Sequence, residues 1–303
     1  MGIRRHIRKF RDKRQALELK RQELENNRRE LERLHDRSND VLPSARNLLH
    51  SSLEPMAARE HFLPSIDTTK KILEVGPYFA PSIKGENVRY FDVFTTEQLR
   101  ERAKNDPNDF VTSDTVVDVH FQDDDGDLST IPETFDAAFS SHCIEHQPDL
   151  VRHLNDISNL LHEGGHYYLL VPDKQFCFDQ PKPDTSIGDV LAASIEKRNR
   201  HTLRSLINHT ILMTHNDSVR HTEADHFDAG WEEGYIERLK AAYDKYSAPH
   251  EEYIDSHAWQ FKPETFLNIV WALNEAGLTS LKPESVWLTP SNRLEFAAIL
   301  RKA

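Results

Sequence analysis

One short apolar run ends in a sharp turn, Lys71-Ile-Leu-Glu-Val-Gly-Pro77. Its apolar and β-branched residues predict a buried strand, and the Gly-Pro pair predicts the turn that ends the strand. A second run, Val88-Arg-Tyr-Phe-Asp-Val93, predicts the next strand and places Asp92 near its end, 18 residues after Glu74. In a doubly wound sheet the first turn of this kind approaches a ligand closely, and an acid after the second strand can accept both hydroxyls of a ribose.

Strands and helices alternate beyond this pair. A helix is predicted over residues 148–163 by apolar side chains at helical spacing, with Gly164-Gly165 as its C-cap. The further strands are predicted over residues 116–121, 135–141, 167–172, 285–288 and 294–301. This alternation predicts an α/β fold with a doubly wound, seven-stranded, mostly parallel sheet and helices on both faces.

The chain divides into three regions. Residues 1–42 predict a long basic helix, because they are rich in Arg, Glu, Leu and Gln. Residues 43–175 and 263–303 form the predicted α/β core. Residues 176–262 lose the alternation, become rich in His and Asp, and predict a helical lid over the carboxyl ends of the strands.

Composition excludes several classes of protein. The 303 residues contain no run near the ~18 apolar residues of a membrane span. The N-terminus is basic but has no apolar segment of a secretory signal. Two cysteines, Cys143 and Cys177, are too few for a disulfide framework and favour a reducing compartment. We therefore expect a cytoplasmic location, or one peripheral to the inner membrane.

The net charge of −12 is unevenly distributed. Residues 1–37 carry +6, and the remaining 266 residues carry −18. Affinity for nucleic acid comes largely from Lys and Arg that displace counterions, so the acidic body predicts no nucleic-acid partner.

The basic N-terminal helix carries an apolar stripe at every seventh position, made of Ile3, Phe10, Leu17, Leu24 and Leu31. The companion positions of a heptad are mostly charged, so the coiled-coil pattern is half complete. One reading is a solvated helix that lays this stripe on its own protein or on a twin subunit. The other is an interfacial helix at a membrane surface, since the first 14 residues hold seven Lys and Arg.

An ordered series of motifs follows the first two strands: Asp127-Leu-Ser-Thr-Ile-Pro132, Phe135-Asp136, Ser141-His-Cys-Ile-Glu-His146 and a strand ending in Val-Pro172. With Glu74-Val-Gly76 and Asp92, this series resembles the class I S-adenosylmethionine-dependent methyltransferases over residues 70–175 and the final strands. It looks most like a bacterial branch that accompanies glycosyltransferases of surface-polysaccharide synthesis. The resemblance implies a Rossmann-like methyltransferase with S-adenosylmethionine as cofactor.

The resemblance also implies roles for individual residues. Glu74, Gly76, Pro77 and Tyr78 would line the methionine and ribose side, with Ser141 nearby. Asp92 would hold the ribose, and Asp127 with the Leu128 backbone would face the adenine amine. Carboxylates suit these tasks because their two oxygens accept hydrogen bonds from a diol or an exocyclic amine.

His142, Glu145 and His146 form the densest cluster of chemically active side chains. Their spacing places all three on one face of a predicted helical turn beside the methyl donor. Three readings are open: a divalent metal site, a histidine general base, or residues that only cap and orient the helix.

Residues after the fifth strand are expected to border the acceptor pocket. Asp173 follows Val171-Pro172 directly, and His257 precedes the late helix as a similar histidine does in the resembling branch. Both are predicted pocket residues. Other histidines crowd the lid, but spacings such as His221 to His226 match no standard zinc pattern.

The expected function is O-methylation of a sugar hydroxyl in glycan or polysaccharide synthesis. The acceptor would be a glycan or a sugar. One alternative is O-methylation of RNA or of a small molecule. Another, from a different class, is a non-catalytic scaffold with a degenerate cofactor site.

Overall fold

The structure is a computed structural model that describes residues 2–105, 112–247 and 254–303, with side chains from residue 15 onward. The helices are α1 (Gly2–Ser38), α2 (Arg59–Phe62), α3 (Thr96–Ala103), α4 (Leu150–Leu160), α5 (Ile187–Glu196), α6 (Leu203–Leu212), α7 (Ser218–Thr222), α8 (Tyr235–Tyr246) and α9 (Pro263–Glu275). The strands are β1 (Leu49–His50), β2 (Ile72–Val75), β3 (Val88–Asp92), β4 (Phe121–Gln122), β5 (Phe135–Ser141), β6 (Leu161–Pro172), β7 (Leu281–Trp287) and β8 (Glu295–Lys302).

The strands form one sheet in the order β1-β7-β8-β6-β5-β2-β3-β4. Only β8 runs against its neighbours, β6 and β7, and the other pairs are parallel. The chain therefore winds outward in both directions from the centre of the sheet. This confirms the predicted fold class, with eight strands where seven were predicted, because the short β1 adds to the edge beside β7.

Two local predictions were wrong. The third strand was predicted over residues 116–121, but only Phe121 and Gln122 pair with β3. The pair Gly164-Gly165 does not cap α4, which ends at Leu160, but lies inside β6 where its pairing with β5 is irregular. Gly164 has a φ of +75°, and a Cβ on Gly165 would lie 2.8 Å from the His162 carbonyl oxygen, so both positions need glycine for the bend.

Apolar side chains fill both faces of the sheet. One face packs against α4, α5 and α9, and this cluster includes the fully buried Phe135, Leu154 and Phe266. The other face packs against the segment that contains α2, with Phe62 and Phe139 at its centre. The lid contributes a small separate cluster around Leu206, which joins α6 to α8.

Among its side chains from residue 15 onward, the long helix α1 contacts the body through its last turns. Leu34 packs against the main core cluster, and the Arg37 guanidinium donates to the buried Glu264 carboxylate at 2.7 Å. In contrast, Leu17, Leu24 and Leu31 are each more than 60% exposed. The side chains of Ile3 and Phe10 lie outside the described residues, and the predicted contact of the stripe with a second subunit or a membrane stays a prediction.

Among the helices in the described part of the chain, none is both long enough and apolar enough to cross a bilayer.

The buried pair of Arg37 and Glu264 provides a test of how α1 is held. Replacing Arg37 with Met leaves the Glu264 carboxylate buried without its cation, which costs about 3 kcal/mol of unfolding free energy. Urea denaturation should show this loss, whereas Leu24→Ala on the exposed stripe of the same helix should change stability by less than about 0.5 kcal/mol. Equal stability of the Arg37→Met and Leu24→Ala variants would mean that the pair does not anchor the helix.

Candidate active site

The parallel strands deliver the predicted site residues to one edge of the sheet. Glu74 lies near the end of β2, Asp92 at the end of β3 and Ser141 at the end of β5. Their neighbours in the chain line a cavity of about 600 Å³ that opens at this edge. Its volume is within the range of ordinary small-molecule sites.

Glu74 binds the loop that forms part of the cavity wall. Its buried carboxylate accepts hydrogen bonds from the backbone N–H groups of Ser82, at 2.7 Å, and Ile83, at 3.1 Å. Burial raises the pKa of Glu74 to about 7, although both N–H donors favour the charged form. Glu74 therefore holds the loop that follows β2 in place, and it also lines the cavity.

Asp92 holds the same loop at its other end. One carboxylate oxygen accepts from the Tyr78 N–H at 3.2 Å, and the other accepts from the Phe94 N–H at 3.0 Å. Burial raises the pKa of Asp92 against the effect of these donors. Gly76 has a φ of +70°, and an added Cβ would lie 3.2 Å from the Cys143 sulfur atom, so the backbone approaches the segment after β5 more closely than a larger residue would readily allow.

The remaining residues predicted to contact the cofactor divide into two groups. Pro77, Tyr78, Leu128 and Ser141 line the cavity with Glu74, Gly76 and Asp92. The Asp127 side chain instead caps the short helical turn after it, accepting from the Ser129 N–H at 2.9 Å, and the cavity wall there is formed by Gly126 and Leu128. The predicted contact of Asp127 with an adenine amine stays a prediction.

A second cavity of about 300 Å³ adjoins the first. Three residues, His142, His146 and Asp255, line both. The lid supplies much of the second wall, including Phe178, His209, Asn216 and His257. The structure therefore places the predicted His142, Glu145, His146 and His257 around one chamber beside the first cavity.

The predicted helical turn that would carry His142, Glu145 and His146 on one face is absent, and that expectation was wrong. His142 has a left-handed backbone, with a φ of +51°, and precedes a short turn over residues 144–146. This conformation turns its imidazole toward β8, where Nε2 lies 2.7 Å from Glu295 Oε2.

Glu295 is the centre of a charged network that the sequence analysis missed. Arg59 binds it through two contacts, Nε to Oε1 at 2.8 Å and Nη2 to Oε2 at 3.0 Å, and also donates to Ser141 Oγ. Burial opposes the charge on Glu295, but His142 and Arg59 outweigh it and lower its pKa to about 2. Glu295 thus fixes the orientation of His142 from a segment 153 residues away.

Glu145, His146 and His257 form a separate group. Glu145 is fully buried, and its Oε1 lies 3.6 Å from His146 Nε2 and 3.8 Å from His257 Nε2. The backbone explains this meeting, because the Glu145 carbonyl oxygen accepts from the N–H groups of Ala258 and Trp259, which follow His257. One ligand atom from each of the three lies within 4.8 Å of the others.

Asp173 does not belong to either cavity. It is fully buried, accepts from Thr289 Oγ1 at 2.7 Å and from the Gln175 N–H at 3.0 Å, and burial raises its pKa. Its carboxylate therefore joins the end of β6 to the segment between β7 and β8. The prediction that Asp173 borders the acceptor pocket was wrong, because position after a strand does not determine where a side chain points.

Arg59, Asp255 and Glu295 are the site residues that sequence reasoning missed. Each lies far along the chain from the motifs that it meets, and none sits in a recognisable pattern. A weak signal existed for Glu295, because a final strand antiparallel to β6 brings its first residue to the active edge. Asp255, whose Oδ1 lies 2.9 Å from His146 Nδ1, carried no such signal.

The sheet order, the acidic residues at the ends of β2 and β3 and the cavity beside them define a Rossmann-like α/β fold with a ligand-sized cavity at the ends of its parallel strands. The family described as "Methyltransferase domain" matches residues 48–226, more than half of the chain. The chain belongs to this family, and it is an S-adenosylmethionine-dependent methyltransferase. Among curated proteins none matches it.

Several solved structures are similar to this chain. A methyltransferase from Aquifex aeolicus is 11% identical, with a TM-score of 0.36, over 83% of this chain and 93% of that one. A methyltransferase described as putative, from Listeria monocytogenes, is 12% identical, with a TM-score of 0.37, over 81% and 98%. CcbJ from Streptomyces caelestis is 16% identical, with a TM-score of 0.25, over 39% of this chain and 52% of CcbJ, so this chain spans about half of that protein.

The residues that line the first cavity are chemically suited to S-adenosylmethionine. Two buried carboxylates, Glu74 and Asp92, stand at its wall, and the wall near Gly76 is so tight that an added Cβ would lie 3.2 Å from Cys143 Sγ. We expect Asp92 to hold the ribose and the 76–78 backbone to border the methionine part.

Gly76 can be tested against a matched glycine. Gly76→Ala and Gly277→Ala both place a Cβ on a residue whose φ is near +70°, which costs each variant roughly 1 to 2 kcal/mol of stability. Only at Gly76 does the new methyl group meet the cavity wall. Calorimetry should therefore show weaker S-adenosylmethionine binding in Gly76→Ala and unchanged binding in Gly277→Ala; equal affinity in both would remove Gly76 from the cofactor site.

Proposed function

We propose that this protein transfers the methyl group of S-adenosylmethionine to a hydroxyl of a sugar or glycan. The observation that carries the proposal is the junction of the two cavities at His142, His146 and Asp255. These side chains therefore lie between a methyl donor bound in the first cavity and the hydroxyl of a molecule bound in the second. An imidazole at such a junction suits removal of a hydroxyl proton.

The bound cofactor supplies a methyl carbon attached to a sulfonium sulfur. When the methyl group is transferred, the sulfur keeps the electron pair of the broken S–C bond and becomes a neutral thioether. This chain's residues align the acceptor oxygen with that carbon and accept the proton released as the O–C bond forms. His142 is the proposed base, because it lines both cavities and is held by Glu295. An imidazole beside an orienting carboxylate is a pattern that serves proton transfer in other enzymes, which supports this assignment.

The chemistry of the second cavity supports a sugar acceptor. Its wall combines polar groups, including Asn216 and His209, with the aromatic ring of Phe178. A sugar presents hydroxyls at its edges and C–H groups on its faces. The polar side chains can hydrogen-bond the hydroxyls, and the aromatic ring can pack against the C–H face. The resemblance to the polysaccharide-associated branch adds to this support.

Three other acceptor or functional readings are weaker. RNA is disfavoured by the −18 charge of the body. A small non-sugar molecule with a hydroxyl fits the same geometry and is the second candidate. A scaffold with a degenerate site is disfavoured by the family assignment and by the cavity that Glu74 and Asp92 maintain.

The acceptor class can be tested directly. The purified protein and S-adenosylmethionine with an isotope-labelled methyl group should be incubated with free sugars, nucleotide-linked sugars, a phenol and an RNA oligonucleotide. We expect mass spectrometry to find the label as a methyl ether on a sugar and on no other acceptor. Label on the phenol or the RNA alone would contradict the sugar assignment.

The role of His142 can be tested with two variants. His142→Ala should lower turnover roughly 10² to 10⁴-fold, the usual contribution of a positioned general base, with little change in cofactor affinity. His162→Ala is the control, because His162 is half-exposed and near the opposite end of β6. If His142→Ala kept the turnover of His162→Ala, the base would have to be sought at His146 or His257.

A further inference from the structure

The buried carboxylate of Glu145 has an unusual environment. Its side chain is 1% exposed, and neither oxygen has a hydrogen-bond partner within the described ranges. Burying a carboxylate without compensation costs several kcal/mol, so such groups are normally paired or bound to a metal. Glu74 and Glu295, at the same edge of the sheet, both have partners.

The atoms nearest to Glu145 are imidazole nitrogens that face it. His146 Nε2 and His257 Nε2 lie 3.6 Å and 3.8 Å from Oε1, too far for hydrogen bonds. These separations are close to those of two ligands bound to one ion, since bonds of about 2.1 Å place neighbouring ligands roughly 3 to 3.5 Å apart.

A carboxylate lies beside the outer nitrogen of each imidazole, and the one at His257 forms a hydrogen bond. His257 Nδ1 lies 2.6 Å from Asp179 Oδ2, and His146 Nδ1 lies 2.9 Å from Asp255 Oδ1. A carboxylate on the outer nitrogen fixes the ring and directs the lone pair of Nε2 inward, which is the usual arrangement behind a metal-bound histidine. Asp179 is itself buried and paired with Lys182, so its position is fixed.

We propose that Glu145, His146 and His257 bind one divalent transition-metal ion. Two imidazoles and one carboxylate suit Zn²⁺, Mn²⁺, Fe²⁺ or Co²⁺, whereas Mg²⁺ and Ca²⁺ prefer an all-oxygen set. The site differs from the cluster that the sequence suggested, because His257 from the end of the lid takes the place of His142.

Three protein ligands leave coordination positions open, and all three residues line the second cavity. An acceptor hydroxyl that enters this cavity can therefore occupy an open position. The metal would orient the hydroxyl oxygen and lower the pKa of its proton, while His142 remains free of the metal and available as the base. This role for the ion rests on the proposed function; metal binding itself does not.

The test uses the full chain, stripped with a chelator and titrated with Zn²⁺, Mn²⁺, Co²⁺ and Mg²⁺ in the absence of cofactor and acceptor. We expect one equivalent of Zn²⁺ and of Co²⁺ per chain by calorimetry and elemental analysis, and a visible absorption band with Co²⁺ that differs from that of the aqueous ion and reports its coordination by the protein. Mg²⁺ should bind much more weakly. Absence of stoichiometric Zn²⁺, Mn²⁺ and Co²⁺ binding would overturn the proposal.

Variants assign the ligands. Glu145→Gln and His257→Ala should lose the Co²⁺ band, whereas His226→Ala, in the separate histidine stack of the lid, should keep it. Glu145→Gln preserves shape and removes an unpaired buried charge, so without metal it should melt no lower than the wild type, and it should lose the rise in melting temperature that Zn²⁺ produces. An unchanged Co²⁺ band in Glu145→Gln and His257→Ala would place the ion elsewhere and overturn the assignment.

Asp179 is a positioning residue, because it holds the His257 ring through Nδ1. Asp179→Asn should weaken Zn²⁺ affinity roughly 10- to 100-fold without removing the Co²⁺ band, because it releases the His257 ring and leaves the ligands in place. Since every readout is metal binding, failure of the metal site leaves the methylation assay unaffected. Failure of sugar methylation likewise leaves these binding results intact.

Discussion

Strands β3, β2, β5 and β6 lie side by side and run in one direction, and the site depends on this shared direction. Parallel strands end at the same edge, so the loops that follow them converge there although they are far apart in sequence. β8 completes the arrangement because it runs the opposite way. Its first residue, Glu295, pairs with Pro172 at the end of β6 and so reaches the same edge.

Three glutamates at this edge, two of them buried and Glu295 mostly so, have three different environments. Glu74 accepts hydrogen bonds from two backbone N–H groups, and these bonds hold the loop beside the first cavity. Glu295 is contacted by the Arg59 guanidinium and by the His142 imidazole. Glu145 faces two imidazoles beyond hydrogen-bonding distance. The first two arrangements are satisfied by the protein alone, and the third is the one that a cation would complete.

The lid covers the second cavity and also supplies two of the charged or polar side chains beside Glu145. Asp179 and His257 both come from the region between β6 and α9, and their contact at 2.6 Å brings the two ends of the insertion together beside Glu145. The backbone of Ala258 and Trp259 then fastens this end to the core through the Glu145 carbonyl oxygen. The second cavity is consequently bounded by both the core and the lid.

The sequence determined the fold class and the order of the motifs, because both depend on local patterns: apolar runs for the strands, helical spacing for α4, and acids placed after strands. It also indicated most of the predicted residues that line the first cavity, since their positions follow from the ends of strands. Tertiary structure decided the rest. His142 has a left-handed backbone and meets Glu295 instead of sharing a helical face with Glu145 and His146, and Asp173 turns into the core toward Thr289. Arg59 and Glu295 meet across 236 residues, and His257 meets Glu145 across 112, because sheet order and side-chain direction, which local pattern does not encode, set these distances.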